Sequence, residues 1–219
     1  MSKKILPLIL SLLLFSSPLT HAFQNGDFQY WNTETINIKL SDKAKLNVQE
    51  EFRFGDDAGT WYYNHTDVGV SYSVTKYLES GVFYRQIIEK KDKDWDPEYR
   101  PHIDATLKAT LLCFKLKDRS RISYRIRESA HNTWRYRNKA TIEWPLDIVN
   151  FKFTPYAADE IYVQTDTKGI ARNRLYLGIK FPLVEKLIVN IFYLRQSTRG
   201  KKNKWTDYNV LGTGATISF

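Results

Sequence analysis

Cysteine is all but missing. Cys113 is the single one in 219 residues, so no internal disulfide can form and no zinc-type cysteine cluster can be built. Its expected role is an inert, packed thiol. Long apolar runs are missing too. After residue 22 no stretch approaches 18 apolar residues, which excludes a transmembrane helix. Acids are few against bases, 24 Asp and Glu to 33 Lys and Arg, giving a formal charge of +9. No phosphate-binding glycine loop, dinucleotide glycine pattern, zinc-protease string or G-x-S-x-G elbow occurs, and no cofactor or metal is implied.

The beginning of the chain differs from the rest. Lys3 and Lys4 precede an apolar core from Ile5 to Phe15, followed by Ser17 and Pro18 and by small residues at Thr20 and Ala22. This reads as a secretory signal peptide over 1–22, too short for a good membrane span. Residues 23–219 then form one domain of about 197 residues. An exported chain meets no nucleic acid routinely, so the surplus positive charge points to anionic lipopolysaccharide or anionic solutes.

What remains is rich in aromatic and β-branched residues, with 14 Tyr, 6 Trp and 12 Phe, and it alternates. Eleven segments read as strands: 28–40, 44–54, 61–73, 77–89, 101–111, 119–129, 134–144, 150–163, 170–181, 186–197 and 205–219. Most match or exceed the nine to eleven or so residues with which a tilted strand crosses a bilayer. Ile103, Ala105, Leu107, Ala109 and Leu111 share one face, against His102, Asp104, Thr106 and Lys108 on the other. Ile122, Tyr124 and Ile126 oppose Arg119, Arg121, Arg125 and Arg127; Trp134, Tyr136, Ile142 and Trp144 oppose Arg135, Arg137 and Glu143; Leu175, Leu177 and Ile179 oppose Arg172 and Arg174. Segments 28–40 and 186–197 do not keep one phase.

This pattern predicts an all-β fold, a single closed antiparallel transmembrane β-barrel of about 10–12 strands in a bacterial outer membrane, apolar faces outward. Eleven segments conflict with the even strand number usual for such barrels and with both chain ends lying in the periplasm. Short connections at 41–43, 74–76 and 145–147 are expected on the periplasmic side. Those at 55–60, 90–100, 129–133, 164–169 and 198–204 are expected outside. Trp134 and Trp144 lie ten residues apart on one face, some 33 Å along a strand or roughly 25 Å when tilted, so they suit the two membrane interfaces. The last segment ends on Phe219 with Leu211, Thr213, Ala215 and Ile217 on the same face. That resembles the terminal signal of outer-membrane barrels, which implies barrel-assembly machinery as a partner through the C-terminal strand, with outer-membrane lipid around the wall.

The chain also resembles the bacterial domain-of-unknown-function 2490 family. The resemblance is carried by Glu50-Glu51-Phe52-Arg53, Asn64-His65-Thr66-Asp67-Val68-Gly69, Tyr124-Arg125-Ile126-Arg127, Trp134-Arg135-Tyr136-Arg137-Asn138-Lys139, Pro155-Tyr156-Ala157-Ala158-Asp159-Glu160 and Asn173-Arg174-Leu175-Tyr176. It implies an outer-membrane barrel and no activity.

Two constellations are candidates for function. Arg119, Arg121, Arg125, Arg127, Arg135, Arg137, Arg172 and Arg174 are expected inside, with Glu51, Glu143 and Glu160 among the acids facing them. They would form a salt-bridged plug or an electropositive narrow channel in a non-enzymatic barrel. The alternative is a surface-facing hydrolase. His65 with Asp67, and His102 with Asp104, each share a face below an expected external loop and could activate water at the outer mouth. The His-Asp-Ser-Asn-Gly string of outer-membrane phospholipase A is absent, and Ser129-Ala130-His131 is a weak signal in a loop.

Overall fold

The structure, a computed structural model, describes residues 24–91, 94–149, 151–200 and 203–219. The segment read as a signal peptide lies outside these. No helix among the described residues is long and apolar enough to cross a membrane, which says nothing of strands.

Twelve strands follow one another: β1 (Phe28–Lys39), β2 (Ala44–Gly55), β3 (Thr60–Ser73), β4 (Leu78–Lys91), β5 (Asp94–Leu111), β6 (Phe114–Arg127), β7 (Thr133–Glu143), the short β8 (Leu146–Ile148), β9 (Phe151–Gln164), β10 (Ile170–Val184), β11 (Leu187–Arg199) and β12 (Trp205–Ser218). The eleven long strands fall on the eleven alternating segments. Each pairs with its sequence neighbour, β7 with β9 across β8, and the sheet closes where β1 meets β12. β8 pairs only with the start of β9, through Leu146 to Phe153 and Ile148 to Phe151.

The closing pair resolves the parity conflict. β1 and β12 run parallel, from Phe28 opposite Asn209 to Asn37 opposite Ser218. An odd number of up-and-down strands returns the last one in the direction of the first, so it closes only by one parallel ladder. The barrel therefore departs from an all-antiparallel expectation at this seam, and the two ends of the described chain lie at opposite ends of the barrel. Gly26 N donates to Asp207 O at one end; Phe219 N donates to Asn37 O, and Phe219 O accepts from Lys39 N, at the other. Side chains stitch the seam: the Tyr30 hydroxyl meets Thr213 Oγ1 at 2.6 Å and Asn32 Nδ2 donates to the same oxygen at 3.1 Å.

The connections at residues 40–43, 74–77, 112–113 and 185–186 share one end of the barrel with Phe219, here the turn end. Those at 56–59, 128–132 and 165–169 share the loop end with Asn25. One expected loop is not a loop. Strands β4 and β5 continue upward as a paired ribbon, Lys91 opposite Asp94 and Glu98 opposite Ile87, so 90–100 is mostly strand. The alternation of His102 and Asp104 runs on through Arg100 to Glu98, a signal that the loop assignment passed over. Cys113, expected to be packed, lies exposed in the β5–β6 turn, where Leu112 takes a left-handed conformation, φ 55°.

Alternation sorts the side chains. Ile103 (57% exposed), Leu177 (58%), Val82 (66%) and Trp134 (53%) stand on the outer surface, while His102, Asp104, Arg121, Arg135 and Arg174 are buried inside. The two segments without clear phase have apolar residues on both faces. Trp31 of β1 and Phe192 and Leu194 of β11 point inward and join Tyr176 and Val210 in an internal apolar cluster. Two glycines make room for the internal rings. A Cβ on Gly212 would lie 2.0 Å from Phe192 Cζ, and one on Gly69 would lie 2.3 Å from Phe83 Cδ1. Gly212→Val should displace the Phe192 ring and lower stability by about 1–3 kcal/mol, the usual cost of overpacking. A urea titration of the refolded barrel would measure it, and an unchanged midpoint would show the ring has room to move.

Candidate functional site

The inward faces of β2 to β7, β9 and β10 converge on a layered charge network. Each layer follows from period-two alternation, since residues two apart on one strand stack along the lumen.

The uppermost layer centres on Glu98. Its carboxylate takes a two-pronged contact from Arg125, with Nε and Nη2 both at 2.7 Å, and accepts from Arg100 Nε at 2.8 Å. Arg125 Nη1 and Arg135 Nε both donate to Gln164 Oε1, at 2.8 and 2.6 Å. Arg127 stands at the loop end, where its Nη2 donates to Thr133 Oγ1 at 3.1 Å and lies 3.7 Å from Asp166.

Below it, Arg121 grips Asp104 with Nε and Nη2, each at 2.5 Å. Arg85 Nε donates to Asp67 Oδ2 at 2.9 Å, and Arg121 Nη1 lies 3.7 Å from the same oxygen. Alongside, Arg53 Nε donates to Glu51 Oε1 at 2.7 Å while its guanidinium is sandwiched between Trp31 at 3.7 Å and Tyr63 at 4.1 Å. Glu160 accepts from the hydroxyls of Tyr162 and Tyr176 at 2.8 and 3.0 Å and faces Arg119, Arg137 and Arg174. Arg172 lies 5.6 Å from the ring of Tyr162, which also stands near Arg135, Arg137 and Arg174. Nearest the turn end, Glu143 holds Lys117 at 3.0 Å and Lys180 at 2.5 Å, and Glu79 holds Lys108 at 2.8 Å.

All eight arginines expected inside therefore face the lumen, as do Glu51, Glu143 and Glu160. Sequence reasoning missed Glu98 and Arg100, assigned to a loop, and Arg53 and Arg85, on segments with noisier alternation. It also missed the tyrosines that share Glu160, because an inward tyrosine has the same composition signature as an outward one.

The four residues of the hydrolase alternative do come together, but not at an outer mouth. His102 Nε2 lies 3.7 Å from Asp67 Oδ2 and 3.9 Å from Asp104 Oδ1. Both imidazoles are buried, and His102 is stacked on Phe83 with ring centres 5.1 Å apart. The strand extension of β4 and β5 raises the rim above them, and the two carboxylates are held by arginines. His65 reaches no carboxylate of the group; its neighbour is Glu51, 3.5 Å from Nδ1. The lumen cavity that reaches this group touches Asp67 and Asp104 from the turn-end side, past Asn37, Asn47 and Glu79, and not from an outer mouth. Among the described residues, no three His, Cys, Asp or Glu side chains are grouped as metal ligands.

Two cavities of about 260 and 270 Å³ occupy the lower lumen and share Thr35, Gln49 and Arg119. Asp67, Asp104 and Arg121 line the second cavity, and the Glu98 layer stands above it toward the loop end.

Residues 28–207 match the family described as "Protein of unknown function (DUF2490)". The chain belongs to the DUF2490 family. A search of the curated proteins returns no match. Among solved structures, this DUF2490 chain is similar to LpxR from Salmonella typhimurium, with a TM-score of 0.49 and 8% identity, covering 80% of this chain and 83% of that one. An identity this low carries nothing about activity.

The layered pairing predicts a strong response to removal of one partner. Arg121→Met leaves Asp104 without its two-pronged partner and should destabilise the barrel by about 3–5 kcal/mol. Adding Asp104→Asn should recover part of that loss. Chemical unfolding of the single and double variants measures both, and a single variant as stable as wild type would show that the pair is solvated.

Proposed function

We propose that this DUF2490 chain is a non-enzymatic barrel of the bacterial outer membrane, its loop end outside and its turn end facing the periplasm, with the lumen closed at mid-height. The observation that carries this reading is the distribution of charge. Apolar side chains cover the outer wall while arginines and carboxylates satisfy each other inside. A soluble barrel of the lipocalin kind would place the same residues the other way round. In lipid every backbone polar group must be satisfied internally, and a closed sheet does so.

The aromatic residues support the same placement. Trp134 packs on Tyr124 with ring centres 4.9 Å apart toward the loop end, and Trp144 packs on Phe114 at 5.9 Å at the turn end. Trp61 and Trp95 form a further exterior pair at 4.7 Å toward the loop end. Phe219, with the Lys186 ammonium 5.7 Å from its ring, lies at the turn end. Such rows fit the interfacial girdles of membrane barrels. Lipid and lipopolysaccharide are then the surrounding partners, and the C-terminal strand is the contact for the barrel-assembly machinery.

Closure of the lumen favours a structural or binding role over conduction. Two-pronged contacts line the wall between neighbouring strands, Arg121 reaches from β6 toward Asp67 on β3, and these long side chains crowd the lumen at mid-height.

The protein should fractionate with outer membranes and migrate faster on gels before heating than after. Recovery in the soluble periplasmic fraction would sink the membrane reading. In planar bilayers the purified barrel should give no steady conductance; an open, ohmic, anion-preferring current would overturn the closed lumen.

A further inference from the structure

Charge is not balanced evenly along the lumen. Arg121 has its own carboxylate in Asp104, Arg85 in Asp67 and Arg53 in Glu51, while Arg125 and Arg100 share Glu98 and Arg135 is held by Gln164. The cavity below Glu98 is different. Glu160 is its one carboxylate outside the Arg53–Glu51 pair, and three guanidiniums face it: Arg119 Nη2 at 3.2 Å, Arg137 Nε at 3.5 Å and Arg174 Nη1 at 3.6 Å. Its Oε2 also accepts from the hydroxyls of both Tyr162 and Tyr176. A fourth cation, Lys139, places its ammonium 3.6 Å over the Tyr176 ring rather than on a carboxylate. The buried Nε–H of Arg137 makes no hydrogen bond. Four cations thus share one carboxylate inside a protein wall, where uncompensated charge is costly.

We propose that this cavity is a binding site for a small phosphate-class oxyanion, held by Arg119, Arg137, Lys139 and Arg174. The donors come from three strands, β6, β7 and β10, that flank Glu160 on β9: Arg119, Lys139, Glu160 and Arg174 form one cross-strand row in register, with Arg137 one step along β7. Guanidinium forks and an ammonium in that arrangement suit a tetrahedral, doubly charged anion with several acceptor oxygens better than a lone carboxylate. The volume, about 260 Å³, lies just below the roughly 300–1,000 Å³ of pockets for drug-sized ligands, so the ligand is an inorganic ion or a small phosphomonoester. The adjoining cavity, which shares Arg119 and is lined by Asn37, Asn47 and Ser71, supplies a polar path from the turn end; its carboxylates, Glu79, Asp67 and Asp104, are paired with Lys108, Arg85 and Arg121. The site goes beyond the membrane reading and does not need it, since the cavity lies inside the wall whatever surrounds the outside.

Calorimetric titration of the intact, detergent-folded barrel with inorganic phosphate should give saturable binding that chloride at matched ionic strength does not reproduce. Lys139→Met and Arg119→Met should each weaken it at least tenfold, whereas Arg195→Met on the outer wall should leave it unchanged. Glu160→Gln should tighten it, because it removes the competing negative charge. A hexose monophosphate that displaces phosphate extends the site to phosphomonoesters; one that does not restricts it to the free ion. If a variant fails to fold, the wild-type titration and its chloride control decide alone. Absence of saturable phosphate binding, equal binding of chloride, or wild-type affinity in folded Lys139→Met and Arg119→Met would overturn the proposal.

Discussion

Arginine paired with carboxylate inside a closed sheet is the interaction on which the rest of this structure depends. A wall that turns its apolar residues outward must turn its polar residues inward, and the interior is too narrow to leave them in bulk water. Guanidiniums satisfy that constraint well, because their planar forks grip a carboxylate of the neighbouring strand with two parallel bonds. The stems of those long side chains, the rings of Trp31, Tyr63 and Tyr162, and the glycines that admit Phe83 and Phe192 fill the space between. Packing and electrostatics are therefore one problem in this protein, solved by the same residues.

The seam is the second constraint. Eleven strands cannot close without one parallel ladder, whose slanted hydrogen bonds are slightly weaker per residue. The sequence answers with side-chain bonds across β1 and β12 and with the terminal residue itself, whose backbone carbonyl and amide both bond to β1. The same geometry sends Asn25 to the loop end, where its side chain accepts from Asp207 N at 2.8 Å.

The lumen has two regimes. Its upper half is a set of short-range contacts in which Arg100 and Arg125 share Glu98, Arg121 grips Asp104 and Arg85 meets Asp67, and it buries the two histidines. Its lower half contains the two cavities and a surplus of cations. A barrel that only needed rigidity would distribute its carboxylates evenly; the imbalance around Glu160 is what separates a filled wall from a wall with a pocket. The functional proposal for this protein accordingly rests on the lower half and not on the His–Asp group.

The sequence by itself determined the strands, their phase and the contents of the two faces, because in a sheet the side-chain period is two and a row such as Arg121, Ser123, Arg125 must share a side. It also showed which charges face the lumen on β6, β7 and β10. It could not determine closure. A parallel seam and an odd count depend on how the first strand meets the last, nearly two hundred residues apart, and no local periodicity records that. Nor could it assign partners: Arg174 is the register partner of Glu160 on β10, Arg119 reaches the same carboxylate from β6, two strands away, and Glu98 joins the network only because β4 and β5 rise past the others. Those pairings are set by the barrel's radius and stagger, which exist only in the folded chain.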